Sequence, residues 1–136
     1  MTQEDKDLLL KDICCRLPYK VMAKYYDLED ECETWDEIEG VESNEYVEIG
    51  QYSLPIEAIK PYLFPISSMT EEQKNEFDAR TFEIMFGEFV CKKKDEMEYG
   101  KLMAFDLDFY NKYHLDWRGL IPKGLAIDAT GLGIYE

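Results

Sequence analysis

The chain has 136 residues, 46% hydrophobic and 14% aromatic, and a formal net charge of −15. That length suits one ordinary domain, and the apolar content sets the chain apart from disordered sequences in spite of its charge. The sign of the charge argues against attachment to nucleic acid or anionic lipid, and no run approaches the roughly 18 apolar residues that span a bilayer. The acidic start, Met1-Thr2-Gln3-Glu4-Asp5-Lys6-Asp7, does not fit a secretory leader, so a cytoplasmic location is expected.

Thr2 can cap a first helix over about 3–17, with Glu4 and Asp5 at the positive end of its dipole and Leu8, Leu9, Ile13 and Leu17 at helical spacing before Pro18. Alternation over about 20–28 predicts a strand, with Val21, Ala23 and Tyr25 on one side and Met22, Lys24, Tyr26 and Leu28 on the other. From Tyr25 to Ile59 there is no Lys or Arg but there are twelve carboxylates: Asp27, Glu29, Asp30, Glu31, Glu33, Asp36, Glu37, Glu39, Glu42, Glu45, Glu48 and Glu57. Turn points at Gly40, Ser43-Asn44 and Gly50 divide this segment into short antiparallel strands over about 34–41 and 45–50. Paired with the preceding strand, they are expected to bury Trp35, Ile38, Val47 and Ile49 and to turn the acids toward solvent, where repulsion is screened.

Three prolines, Pro55, Pro61 and Pro65, predict an ordered crossover that is neither helix nor central strand. A helix over about 70–90 follows, capped by Ser68 or Thr70, with Phe77, Thr81 and Ile84 on one flank and Phe82, Met85, Phe86 and Phe89 widening its apolar stripe. A polar break at Lys92-Lys93-Lys94-Asp95-Glu96 leads to a helix over about 101–114, with Leu102, Phe105, Phe109 and Tyr113 on one face. The glycine-rich tail carries one short strand near 125–128. The expected fold is therefore a single α+β domain over 1–136, a small antiparallel sheet of about three to five strands packed against two or three helices.

Chemical motifs are sparse. His114 is the single histidine, and no nucleophile motif accompanies it, so it reads as a structural residue near a helix end. Cys14, Cys15, Cys32 and Cys91 lack zinc-ligand spacing and are expected as reduced thiols, with Cys14, Cys15 and Cys91 in the core. Asp27-Leu28-Glu29-Asp30-Glu31 begins like a calcium loop, but Cys32 and Ile38 stand where such a loop needs Gly and a bidentate Glu. Gly131-Leu132-Gly133 precedes no helix and cannot cradle a dinucleotide. No cofactor or metal is implied.

The stretch Lys60-Pro61-Tyr62-Leu63-Phe64-Pro65-Ile66-Ser67-Ser68-Met69-Thr70-Glu71-Glu72, together with Asp116-Trp117-Arg118-Gly119-Leu120-Ile121 and Gly124-Leu125-Ala126, resembles segments of small uncharacterised proteins encoded by phages and mobile elements of gut Bacteroides. The resemblance implies a phage-like setting and brings no activity with it.

These observations favour a noncatalytic accessory or protein-interaction domain. Its partner would be a basic protein, with no direct role for nucleic acid or membrane. The candidate contact residues are Glu37, Glu39 and Glu42 for charge, with Tyr62, Phe64, Trp117 and Arg118 as the residue types that anchor interfaces. One alternative is an inhibitor that mimics nucleic acid and occupies the groove of a basic DNA-binding protein. A second is a small metal-dependent hydrolase using the acidic loop and Asp106 or Asp108.

Overall fold

The computed structural model describes residues 1–43, 45–80 and 96–136. The expected apolar positions from Thr81 to Phe89, the cluster Lys92-Lys93-Lys94, Asn44 and Cys91 lie outside them. The architecture is α+β: three helices and a mixed sheet of six strands, where three to five were expected.

Helix α1, Gln3–Arg16, begins where the sequence places it. Thr2 Oγ1 accepts from the Asp5 amide at 3.1 Å and Asp5 returns the bond to the Thr2 amide at 3.2 Å, so both orphan donors are satisfied. Strand β1, Met22–Asp27, pairs with β2, Cys32–Ser43, in a tight antiparallel register from Met22 opposite Glu37 to Asp27 opposite Cys32. Strands β3, Tyr46–Ile49, and β4, Tyr52–Pro55, close the hairpin around Gly50, whose positive φ suits a two-residue turn.

Strand β5, Lys60–Leu63, runs through the expected crossover. Pro61 cannot donate to a ladder, and its pairing with β1 is confined to Ala23 opposite Pro61 and Lys24 opposite Lys60. Strand β6, Ile127–Asp128, lies parallel to β5 at the far edge, giving the order β4-β3-β2-β1-β5-β6.

Helix α2 is described over 71–80. Of its two candidate caps Thr70 is the one used: its Oγ1 accepts from the Gln73 amide at 3.2 Å, and Gln73 Oε1 accepts from the Thr70 amide at 3.0 Å. Helix α3, Glu96–Lys112, starts earlier than expected, and Phe77 of α2 packs edge-on against its Phe109 with ring centroids 5.0 Å apart.

The main core lies on one sheet face. It joins Leu9 and Ile13 of α1 to Val21, Ala23, Ile38, Val47, Ile49, Ile56, Ile59, Leu63 and Leu120. A smaller cluster forms around Met22, Tyr62, Ala129 and Ile134, with Phe64 and Tyr135 against it. Trp35 belongs to neither and is 46% exposed, which corrects the expectation that it is buried. The reason is parity: residues 34, 36 and 38 share one face of β2, and Ile38 claims the inner one, so Trp35 stands outside with Glu33 and Glu37. Cys14 and Cys15 are likewise exposed, not core, because Ile13 and Arg16 hold the inward positions of that turn.

A buried ion pair fixes α1 to the end of α3. Asp12 and Arg16 are both fully buried, with Arg16 Nε donating to Asp12 Oδ2 at 2.7 Å and Nη2 to Oδ1 at 3.2 Å. The same Nη2 donates to the Leu115 carbonyl at 2.7 Å, just beyond α3. Arg118 Nε lies 3.3 Å from Asp12 Oδ1, a charge contact without hydrogen-bond direction. Removing the carboxylate strands two guanidinium groups. Asp12→Ala is expected to cost about 3–5 kcal/mol in urea denaturation, whereas the paired change Asp12→Leu with Arg16→Met restores most of it. A loss under about 1 kcal/mol for Asp12→Ala would show that the pair does not hold the helix.

Candidate functional site

Every carboxylate between Tyr25 and Ile59 is exposed except Asp27, which is half-buried. On the side of the sheet away from α1, alternation and register bring Lys24 and Tyr26 of β1 beside Glu33, Trp35 and Glu37 of β2. Glu48 and Tyr46 of β3 continue that face, because Val47 and Ile49 point into the core. Glu39 and Glu48 border one shallow hollow with Ser53, and Glu42 borders another with Tyr46 and Ser53. Glu42 also accepts a hydrogen bond from the Ser53 hydroxyl.

The result is an acidic face with aromatic side chains standing in it: Tyr26 50%, Trp35 46% and Tyr46 42% exposed. Among the described residues its ion pair is Lys24 with Glu33 at 2.9 Å, an exposed contact of small energetic weight. The acids are therefore left in surplus. Tyr26, Trp35 and Tyr46 are not among the contact residues expected from the sequence. The signal was present: in Glu33-Thr34-Trp35-Asp36-Glu37 the tryptophan has the parity of the two glutamates.

The calcium-like loop is organised from within. Asp27 Oδ1 accepts from the Glu29 amide at 2.9 Å, the Asp30 amide at 3.3 Å and the Tyr52 hydroxyl at 2.8 Å, closing the β1–β2 turn. The Tyr52 bond holds Asp27 below the usual carboxylate range and pushes the phenol up to about 12. Asp106 and Asp108 serve different neighbours: burial raises Asp106, while Asp108 accepts from Tyr19 at 2.9 Å. Among the described residues no three His, Cys, Asp or Glu side chains come together in a way that could hold a metal ion.

The other expected contact residues fall in two places. Tyr62 is buried in the small cluster, and Phe64 packs on Tyr135 at 5.9 Å. Trp117 donates to Asn111 Oδ1 at 3.2 Å and lies under the Arg118 guanidinium, 4.0 Å from its ring centre. Both pairs have internal partners.

A cleft of about 340 Å³ opens between the end of α3 and the tail, lined by Phe64, Gln73, Lys112, His114 and Tyr135 among others. His114 sits just past the helix with φ +58°, donates its amide to Asn111, and is followed by Leu115 donating to Tyr110 at 2.8 Å. That is a Schellman end with histidine where glycine is usual. The His114 ring stacks on Tyr135 with centroids 3.6 Å apart. Tyr135 in turn donates to the Tyr62 carbonyl at 2.7 Å and accepts from the Met22 amide at 3.1 Å, tying the tail to β1 and β5.

No family model, no curated protein and no solved structure matches the chain. The site is thus read from its own geometry. No described helix is long and apolar enough to cross a membrane.

Burial, reinforced by the charges of Arg16 and Lys20, lowers the His114 pKa from 6.5 to about 4. The unfolded chain therefore takes up a proton that the folded chain refuses, and stability contributed by neutral His114 is lost as pH falls from about 6.5 toward 4. Relative to His114→Asn, which tolerates the same backbone, the wild type is expected to lose an extra ~1–2 kcal/mol over that window after allowance for partial exposure. Parallel stability curves for the two chains between pH 7 and 4 would refute this.

Proposed function

We propose that the protein is a noncatalytic interaction domain whose acidic sheet face receives a basic protein. The supporting observation is a partial segregation of charge: Glu33, Glu37 and Glu48 stand by strand parity on the side of the sheet away from α1, with Glu39 and Glu42 bordering hollows beside Ser53, while the main core fills the opposite side. A field of one sign over a broad face speeds and orients encounter with a partner of the opposite sign. Its exposed aromatic side chains supply contact area that charge alone lacks. The phage-like setting implied by the resemblance fits an accessory protein that acts on a host or viral component.

The reading in which carboxylates stand in for phosphates is the sharper form of the same proposal. Glu33 and Glu37 are four residues apart on β2, about 13 Å along an extended strand, and Glu48 continues the face on β3, so the carboxylates are spread over the surface and do not converge. The partner would then use its nucleic-acid groove.

Binding to a basic DNA-binding protein, with the dimer of core histones 2A and 2B as generic probe, is expected to weaken about tenfold or more between roughly 50 and 200 mM salt. Triple reversal of Glu37, Glu39 and Glu42 to Lys should weaken it further at low salt. Competition by duplex DNA would place the contact in the partner's groove. Absent or salt-insensitive binding would remove the support for an acidic docking face.

A further inference from the structure

We infer that the β1–β2 part of the acidic face takes an extended, arginine-rich segment of its partner, whose guanidinium groups lie on Trp35 and Tyr26 and pair with the glutamates beside them. This rests on the acidic-face reading above and adds which basic side chain it prefers. Trp35 stands opposite Lys24, and Tyr26, two residues further along β1, stands opposite Glu33, so the two aromatic residues are diagonal neighbours on one face. Both are about half exposed, Trp35 46% and Tyr26 50%, on a sheet face that α1 leaves free. Large aromatic side chains left in water at that level, side by side and not scattered, mark a surface with an occupant.

The choice of arginine follows from what surrounds the rings. Glu33 and Glu37 have the same parity as Trp35 on β2, one on either side of it. Glu33 already pairs with Lys24 at 2.9 Å, an exposed contact that an incoming guanidinium must displace, so Glu37 is the first carboxylate it meets. A planar guanidinium can stack on a ring and present its N–H edge to a carboxylate in the same pose. A lysine ammonium must give up much of its hydration to approach a ring and forms no bidentate pair. An acidic face without aromatic groups would take either cation. The stacking half of this chemistry is used inside the fold, where the Arg118 guanidinium lies over the Trp117 ring, with its Nε 3.3 Å from Asp12 Oδ1 but not hydrogen-bonded to it.

The test compares an octa-arginine and an octa-lysine peptide, equal in charge, binding the intact chain at low ionic strength by fluorescence anisotropy. Octa-arginine is expected to bind about three- to tenfold more tightly, the range two exposed stacking contacts supply. Trp35→Ser with Tyr26→Ser should abolish that preference while leaving octa-lysine affinity within about twofold, and Trp35→Phe should keep most of it. Urea denaturation of each variant identifies any that has lost its fold. Equal affinity for the two peptides, or an arginine preference that survives the double serine variant in a folded chain, overturns the inference and leaves the acidic-face reading standing. Failure of both peptides to bind overturns the two together.

Discussion

The Asp12–Arg16 pair is the constraint on which the arrangement of the chain depends. Two charges removed from water are costly, and their attraction compensates only when each remaining polar atom finds a partner. Here Arg16 is committed on one side to Asp12, within its own helix, and on the other to the Leu115 carbonyl, 99 residues away, with Nη1 alone left buried without a hydrogen bond. The requirement to satisfy one guanidinium therefore sets where α1 lies relative to the end of α3. Leu115 is also held at the Schellman end, and its neighbour His114 stacks on Tyr135, whose hydroxyl bridges β1 and β5. One run of contacts thus joins the first helix, the last helix, the tail and the middle of the sheet. Asp116 completes it by accepting the Leu120 and Ile121 amides at 2.8 and 2.9 Å, which turns Leu120 into the main core.

With one face of the sheet occupied in this way, the part of the other that the Met22 and Tyr62 cluster leaves uncovered carries charge. Strand alternation does not permit a residue to choose its side independently: once Ala23, Tyr25 and Ile38 are drawn inward, Tyr26, Glu33, Trp35 and Glu37 must face out. Trp35 on the surface is the informative exception to hydrophobic sorting. A shift of one residue in the β2 register would bury it, but would also drive Glu33 and Glu37 into the core and expose Ile38. Burying unpaired carboxylates costs far more than leaving one indole half in water. The exposed ring is the cheaper outcome for the fold and, on the proposed reading, the useful one for binding.

The same comparison shows what was legible in the sequence. Local capping signals translated well: Thr2 and Thr70 both cap helices, and β3 forms close to its expected span, but β2 runs on through Gly40, where a turn was expected, and β4 was not expected. Other features did not translate, among them the inward placement of Cys14 and Cys15 and the number of strands. The crossover contains strand β5, because a proline interrupts a ladder only at its own missing donor and a four-residue strand can sit around it. Trp35 was grouped with Ile38 by hydrophobicity, when the period of two assigns them to opposite faces. Nothing local in the sequence marks Asp12 and Arg16 as buried. Their i,i+4 spacing was the visible trace, but such pairs are common on solvent-exposed helices, and only the tertiary partner at Leu115 makes this one internal.

Charge on the outer face also ties stability to occupancy. Among like charges held at strand spacing, each carboxylate raises the energy of its neighbours, and the fold bears that repulsion through the core and the buried ion pair. The acidic surplus is screened by salt, so the folded state gains from added ions in the way that a bound cation would benefit it, only less locally. A basic segment laid on this face removes the repulsion where it is greatest and stabilises the fold by its own binding free energy. The arrangement separates two tasks: a few buried charges around Asp12 and Arg16 set the architecture, while the many exposed carboxylates leave the sheet with a surface repulsion that salt or, on the proposed reading, a basic partner relieves.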